Sequence, residues 1–208
     1  ANTNLLGSNV LNVDEALGAD TNDGMATSGN GPLLTIQRAV NIIQDEWLGG
    51  GSIQLADGTF TAGANITGSL HGQTTIAIVG NAVSPSSCII QVGASAICFN
   101  VQDHAGLSLS GMRLVSTGSG AIGIGARQFS IVDFGDLQFS TMSGGTHISL
   151  EDNSVASATA GYSIIGDAAV HIAASRDCMV NIPQTVTMNV ARAFTTFATL
   201  NYNSQLIG

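Results

Sequence analysis

From residue 52 onward the chain keeps returning to a short apolar-x-apolar string. The pairs are Ile53/Leu55, Ile76/Ile78, Ile97/Phe99, Ile122/Ile124, Ile148/Leu150, Val170/Ile172 and Thr195/Phe197, at intervals of 21 to 26 residues. A second string follows most of them: Leu107/Leu109, Leu137/Phe139, Tyr162/Ile164 and Met188/Val190. Alternation with period two places one face of each string in a core and the other in solvent. Recurrence over roughly 20–45 residues is the signature of a solenoid, whose repeats bury their apolar faces by stacking on one another. Glycines lie between the strings, among them Gly58, Gly80, Gly93, Gly118, Gly120, Gly144, Gly145 and Gly166. They supply the backbone freedom that tight corners need.

The N-terminal quarter has a different rhythm. Val10-Leu11-Asn12-Val13 alternates and predicts a leading strand. Residues 18–32 form a Gly/Asn/Asp loop. Leu33, Ile36, Val40, Ile43 and Trp47 then recur at helical spacing, with Pro32 at the start and Gly49-Gly50-Gly51 at the stop. One amphipathic helix ahead of a solenoid predicts a lid on the open end of the first coil. The expected organisation is residues 1–51 as arm, strand, loop and capping helix, and 52–208 as about seven coils, all in one structural domain. No second amphipathic helix follows the last coil, so the far end is expected to be covered by its own tail, a symmetry mate or another protein.

Composition narrows the function classes. Charged residues are only 9%, Lys is absent, and five Arg face fourteen Asp and Glu for a net charge of −9. That excludes the basic footprint of a nucleic-acid binder and disfavours an anionic membrane surface. No apolar run approaches the ~20 residues of a membrane span, and no signal peptide is visible. The three cysteines, Cys88, Cys98 and Cys178, have neither even count nor C-x-x-C spacing, and read as buried free thiols.

Residues 9–62 carry a resemblance. A strand leads to Gly18, Asp20, Asn22, Asp23 and Gly24, then to Pro32, Thr35, Ile36, Gln37 and Ala39, then to a strand ending Asp57-Gly58-Thr59-Phe60. This resembles the start of right-handed parallel β-helix proteins of the pectate-lyase-like superfamily. The fold the resemblance implies is all-β, a right-handed parallel β-helix. Within that superfamily the low charge and the Ser/Thr/Gly/Ala richness look most like a phage tailspike or fibre, or the spike of a phage-like particle such as a gene transfer agent. Such proteins usually form homotrimers and meet cell-surface polysaccharide.

Candidate chemistry is sparse. Asp20, Asn22 and Asp23 resemble the opening of a calcium loop, but Gly31 stands where an EF-hand has its last acidic ligand. The alternative is an Asx-rich turn before the helix. No acid column emerges when coils are aligned on Phe99, Ile124, Leu150 and Ile172: Asp103, Asp133, Asp136, Glu151, Asp152 and Asp177 all fall apart. Asp133/Asp136 and Glu151/Asp152 remain as local pairs for two-carboxylate glycoside hydrolysis. A lyase would have to draw on Arg113, Arg127, Arg176, His71, His104, His147 or His171, which are dispersed. Tyr162 and Tyr202 are the aromatic candidates for sugar contact, Trp47 being assigned to the lid.

The expected function is a non-enzymatic spike or fibre component of a phage-like particle, made in the host cytoplasm. Its expected partners are copies of itself, other particle proteins and a host glycan, with no cofactor. The alternatives are a polysaccharide depolymerase with an intersubunit site, using Asp133, Asp136, Glu151 and Asp152, and a purely structural scaffold.

Overall fold

The computed structural model describes residues 10–29, 31–46, 51–68, 75–188 and 194–208. The chain winds as a parallel β-solenoid. A leading strand, β1 (Val10–Val13), and the helix α1 (Ile36–Glu46) precede six three-strand turns. The first turn is β2 (Ser52–Leu55), β3 (Gly58–Phe60) and β4 (Ala64–Thr67). The second is β5 (Ile76–Val79), β6 (Cys88–Val92) and β7 (Ile97–Gln102), with a 3-10 turn at Pro85–Ser87. The third is β8 (Gly106–Ser110), β9 (Arg113–Ser116) and β10 (Ile122–Ala126). The fourth is β11 (Ile131–Gly135), β12 (Gln138–Phe139) and β13 (Met142–Glu151). The fifth is β14 (Val155–Ala158), β15 (Tyr162–Ile164) and β16 (Ala168–Ser175). The sixth is β17 (Met179–Asn181), β18 (Val186–Met188) and β19 (Phe194–Asn201), and β20 (Gln205–Ile207) opens a seventh.

Like strands of successive turns stack into three parallel sheets, of eight, six and six strands. At about 4.8 Å per rung, the eight-stranded first sheet runs about 34 Å. The interior is built from columns. Leu11, Ile53, Ile78, Leu109, Phe134 and Ala158 form one in the first sheet. Phe60, Ile90, Leu114, Phe139 and Ile164 form one in the second. Phe99, Ile124, Ile148 and Ile172 form one in the third. All of these are at most 3% exposed. Gly123 marks a tight approach between turns, since a Cβ there would lie 2.6 Å from the His147 carbonyl oxygen.

This register corrects two sequence expectations. Ile53 and Ile76 lie in the first sheet, whereas Ile97, Ile122, Ile148 and Val170 lie in the third. The single series of strings therefore joined two different walls, because the second turn carries extra residues between its strands. Ile148, not Leu150, aligns with Ile124 and Ile172.

The helix forms the lid, but starts later than Pro32. Leu33 makes a bridge to Val13 instead, and Thr35 caps the helix by accepting the Arg38 amide at 3.2 Å. Ile36, Ala39, Val40, Ile42 and Ile43 are buried against the first coil. Trp47 lies outside the described residues.

The lid also satisfies strand edges. Gln37 acts as a one-residue strand against β4: its Nε2 donates to the Asn65 carbonyl at 3.1 Å, and its Oε1 accepts the Asn65 amide at 2.7 Å. Gln44 donates to the Thr67 carbonyl at 2.8 Å. The edge of β1 is met by Gly24 and Leu33 through Asn12 and Asp14, and Glu15 accepts the Thr61 amide just past β3 at 3.3 Å. Side chains and loop backbone thus occupy groups that the next rung would otherwise have paired.

Candidate functional site

With the inward columns committed to the core, any recognition chemistry lies on the outer faces and corners. On the second sheet, one outward column reads Thr59, Ile89, Arg113, Gln138, Ser163, Thr187. Its last three members line a groove of about 260 Å³ that also takes Asp136 and Thr185 along its side and Leu137 in its lining. The Arg113 guanidinium donates from Nε to the Gln138 Oε1 at 3.2 Å, which leaves the Gln138 amide nitrogen as a donor beside the groove. Asp136 is exposed and held at φ +50, with its amide donating to the Gly161 carbonyl of the next turn. Successive rungs therefore present an amide and two hydroxyls at the sheet spacing of about 4.8 Å, with the Asp136 carboxylate on the same turn as Gln138.

The candidate acids divide. Asp136 lies in this groove, while Asp133 sits on the outer face of the first sheet between Ser108 and Ser157, where burial raises its carboxyl from its ordinary value. Glu151 and Asp152 are both bound by Arg176, at 2.9 and 2.7 Å. The groove lining supplies one carboxylate where two-acid glycoside hydrolysis needs two. Asp103 and Asp152 do share a corner position, two turns apart with Gln128 between them, so the expectation that every acid falls in a separate column is corrected.

The loop residues expected to hold calcium make backbone contacts. Asp20 accepts the Leu34 and Thr35 amides at 3.1 and 2.9 Å and the Thr35 hydroxyl at 2.8 Å, placing its charge at the N-terminus of α1. Asn22 donates to the Pro32 carbonyl at 2.8 Å, and Asp23 accepts the Met25 amide at 2.9 Å. Among the described residues no cluster of three or more His, Cys, Asp or Glu is arranged to hold a metal ion.

Tyr162 and Tyr202 have opposite fates. Tyr202 is 76% exposed at the last corner. Tyr162 is 4% exposed, and its ring packs edge-on against Phe134 and Phe139. Its hydroxyl belongs to a buried polar chain that sequence inspection leaves dispersed. His147 and His171 face each other across adjacent turns with Nδ1 to Nδ1 at 3.0 Å. His147 Nε2 lies 2.9 Å from the Ser140 carbonyl, and Tyr162 Oη lies 3.0 Å from His171 Nε2. A carbonyl only accepts, so His147 carries its proton on Nε2 and accepts on Nδ1. His171 then donates from Nδ1 and accepts the Tyr162 hydroxyl on Nε2. Every proton in the chain has one place. Burial lowers His147 to about 4; burial and the neighbouring His147 lower His171 to about 3; burial raises the Tyr162 phenol. Both imidazoles are neutral at pH 7, and the cluster serves packing. The buried Cys88 and Cys98 thiols are pushed by burial up to about 12, and neither is in a disulfide.

One repeated device escaped sequence reading. At the corner between the third and first sheets, five successive turns place two non-glycine residues at positive φ: Asp103-His104, Gln128-Phe129, Asp152-Asn153, Arg176-Asp177 and Tyr202-Asn203. The second residue of each doublet donates its amide to the first residue of the next doublet at 2.8–2.9 Å. A small residue follows each doublet: Ala105, Ser130, Ser154, Cys178, Ser204. Ser130, Cys178 and Ser204 turn back to the carbonyls of Arg127, Ser175 and Asn201. The signal was present as a small residue every 24 to 26 positions, just before each first-sheet strand. On this ridge His104 and Phe129 stack at 5.3 Å.

His71 lies outside the described residues. No described helix is long and apolar enough to cross a membrane. Comparison of the chain with protein-family models, curated proteins and solved structures finds no match.

Proposed function

We propose that this solenoid is a non-enzymatic attachment protein that binds a surface polysaccharide along the second-sheet groove. The observation that carries the reading is the ladder Gln138, Ser163, Thr187, with Asp136 and Thr185 beside it. A glycan chain offers a hydroxyl pair at each sugar, and the ladder offers a donor or acceptor at each rung. The groove volume of about 260 Å³ is shallow beside the ~300–1,000 Å³ of enclosed small-molecule sites, which suits an extended polymer lying across the wall. Residues 9–62 resemble β-helix proteins at large, and the low charge and Ser/Thr/Gly/Ala richness, which look most like phage spikes, support a place on a phage-like particle with other particle proteins as partners.

A glycan array followed by titration of the bound class tests this. Ser163→Ala with Gln138→Ala should weaken binding at least tenfold with an unchanged melting temperature. Equal binding by wild type and variant overturns the groove. The second reading, a depolymerase, is favoured by one observation: Asp136 is a carboxylate already in the groove. It requires a second acid from another copy. Sizing the polysaccharide after incubation decides between them, since shortened chains defeat the non-enzymatic reading.

A further inference from the structure

The second-sheet groove has a stop at its N-terminal end. Residues 80–87 join β5 to β6, eight residues where two join β8 to β9 and two join β11 to β12. The extra length carries the loop across the third turn to the fourth, so that Ala82 and Pro85 line the groove together with Asp136 and Gln138. Gly111 makes room for the crossing: it sits at φ +70, and a Cβ there would lie 2.6 Å from the Ala82 amide nitrogen. The loop is braced from within. Asn81 donates to the Asp57 carboxylate at 3.1 Å and accepts the Ser84 amide at 2.9 Å. The Ser87 amide donates to the Ser84 carbonyl at 2.9 Å, the two hydroxyls lie 3.0 Å apart, and Pro85 fixes the turn between them.

On the reading of this groove as a glycan site, we infer that it takes the end of a chain, with the terminal sugar against Ala82 and Pro85 and the next sugar leading toward Ser163 and Thr187. A chain that continued past Gln138 would have to occupy the space that the braced loop fills. The ladder from Gln138 to Thr187 spans two rungs, about 10 Å, which seats a terminal disaccharide. The chemistry beside the stop agrees with its shape. An internal sugar is joined on both sides, and a glycosidic oxygen has no proton to give. A terminal sugar carries a hydroxyl in that place, which both donates and accepts. Asp136 and Gln138 share the turn next to the stop: the carboxylate accepts, and the Gln138 amide nitrogen donates because its oxygen is engaged by Arg113. This pair matches the extra hydroxyl and gives Asp136 a task that needs no second acid. A surface polysaccharide anchored through its reducing end turns its non-reducing end outward, so the non-reducing end is the one assigned.

The test is an array of di- to octasaccharides of glucose, galactose, mannose, rhamnose and N-acetylhexosamines, each with its non-reducing end free or methyl-capped. In the series that binds, affinity should not rise beyond the disaccharide, and capping the terminal hydroxyl should weaken binding about tenfold or more, as loss of a hydrogen bond to a charged group does. Asp136→Gly keeps a residue at ease at φ +50 while removing the carboxylate. It should lose about tenfold on free ends, with an unchanged melting temperature. Affinity that climbs with chain length, equal binding of capped and free ends, or indifference to Asp136→Gly overturns chain-end recognition and leaves the groove standing if Ser163→Ala with Gln138→Ala still weakens binding. Binding that ignores Ser163 and Gln138, or no binding to any series, removes the groove reading and this inference with it.

Discussion

Lowering the pH should unfasten the C-terminal half of the solenoid before any carboxylate titrates in bulk. The perturbation acts on His147 and His171, both fully buried and neutral, with protons fixed by the Tyr162 and Ser140 contacts. Their native values, about 4 and about 3, lie below the ~6.5 of an unfolded histidine. Below pH 6.5 the unfolded chain therefore binds protons that the native chain refuses, and stability falls as pH falls. The loss begins near pH 6.5 and is complete only below the native values. At pH 5.5 each histidine costs about 1.4 kcal/mol, so the pair costs about 3 kcal/mol relative to pH 7.5. Asp133 has the opposite sign: burial raises its carboxyl, so its contribution favours the native state as pH falls and works against the histidine slope. Comparison with a variant that lacks both histidines but keeps Asp133 isolates the histidine contribution between pH 7.5 and 5.5.

Urea unfolding at several pH values between those limits measures the slope, and the transition of the last turns carries it if the solenoid opens in blocks. His147→Gln with His171→Gln removes titration while keeping donors and acceptors, and should flatten the dependence. A wild-type stability constant to within about 0.5 kcal/mol across the window would refute the buried-neutral assignment. So would an equal slope in the glutamine variant.

Other perturbations have separate readouts. Ile43→Asp places a carboxylate in the sealed lid and should cost roughly 3–5 kcal/mol, or yield insoluble protein; a soluble variant with the wild-type melting temperature would sink the cap. Gln37→Leu should cost about 1–2 kcal/mol and raise amide exchange at Asn65 specifically, whereas unchanged exchange would mean that the amide does not serve as an edge strand. Asp20→Ala should cost about 1 kcal/mol by uncapping α1, with melting insensitive to calcium or chelator; a calcium-dependent melt would restore the metal reading. Arg176→Ala should change stability by less than about 1 kcal/mol because both of its ion pairs are exposed, and a larger loss would show the bridge holding the corner.

What was legible in the sequence was whatever repeats in the core. Ile53, Ile78, Ile124 and Ile172 must be apolar because their columns are sealed, and the same pressure on Ile36, Val40 and Ile43 reveals the lid. Register was less legible because three walls share one alternation. Nothing in a string such as Ile-x-Ile says which wall it belongs to, and an insertion in the second turn shifts the phase. The His147–His171 pair was hidden for the same reason: two residues 24 apart meet only once the register is right. The groove was least legible of all. Gln138, Ser163 and Thr187 are ordinary outward residues whose meaning comes from being stacked, and stacking is a property of the coil rather than of any string.

The same separation explains how such a chain can vary its outer wall. In each turn the inward residues are constrained by the turn above and below, so a change there propagates along a column. The outward residues of the second sheet meet only their rung neighbours and solvent, and they contribute little to burial. Gln138, Ser163 and Thr187 can therefore be replaced, one rung at a time, at small cost to the fold, provided Phe139, Ile164 and the corner doublets stay as they are. The corner asks for two positive-φ residues and a small third, a demand on backbone and volume rather than chemistry. That is why the doublets differ completely in charge, from Asp103-His104 to Arg176-Asp177, while Ala105, Ser130, Ser154, Cys178 and Ser204 stay small. Variation on this scaffold is thus confined to surfaces that folding leaves free, and the outer wall of the second sheet is one of them.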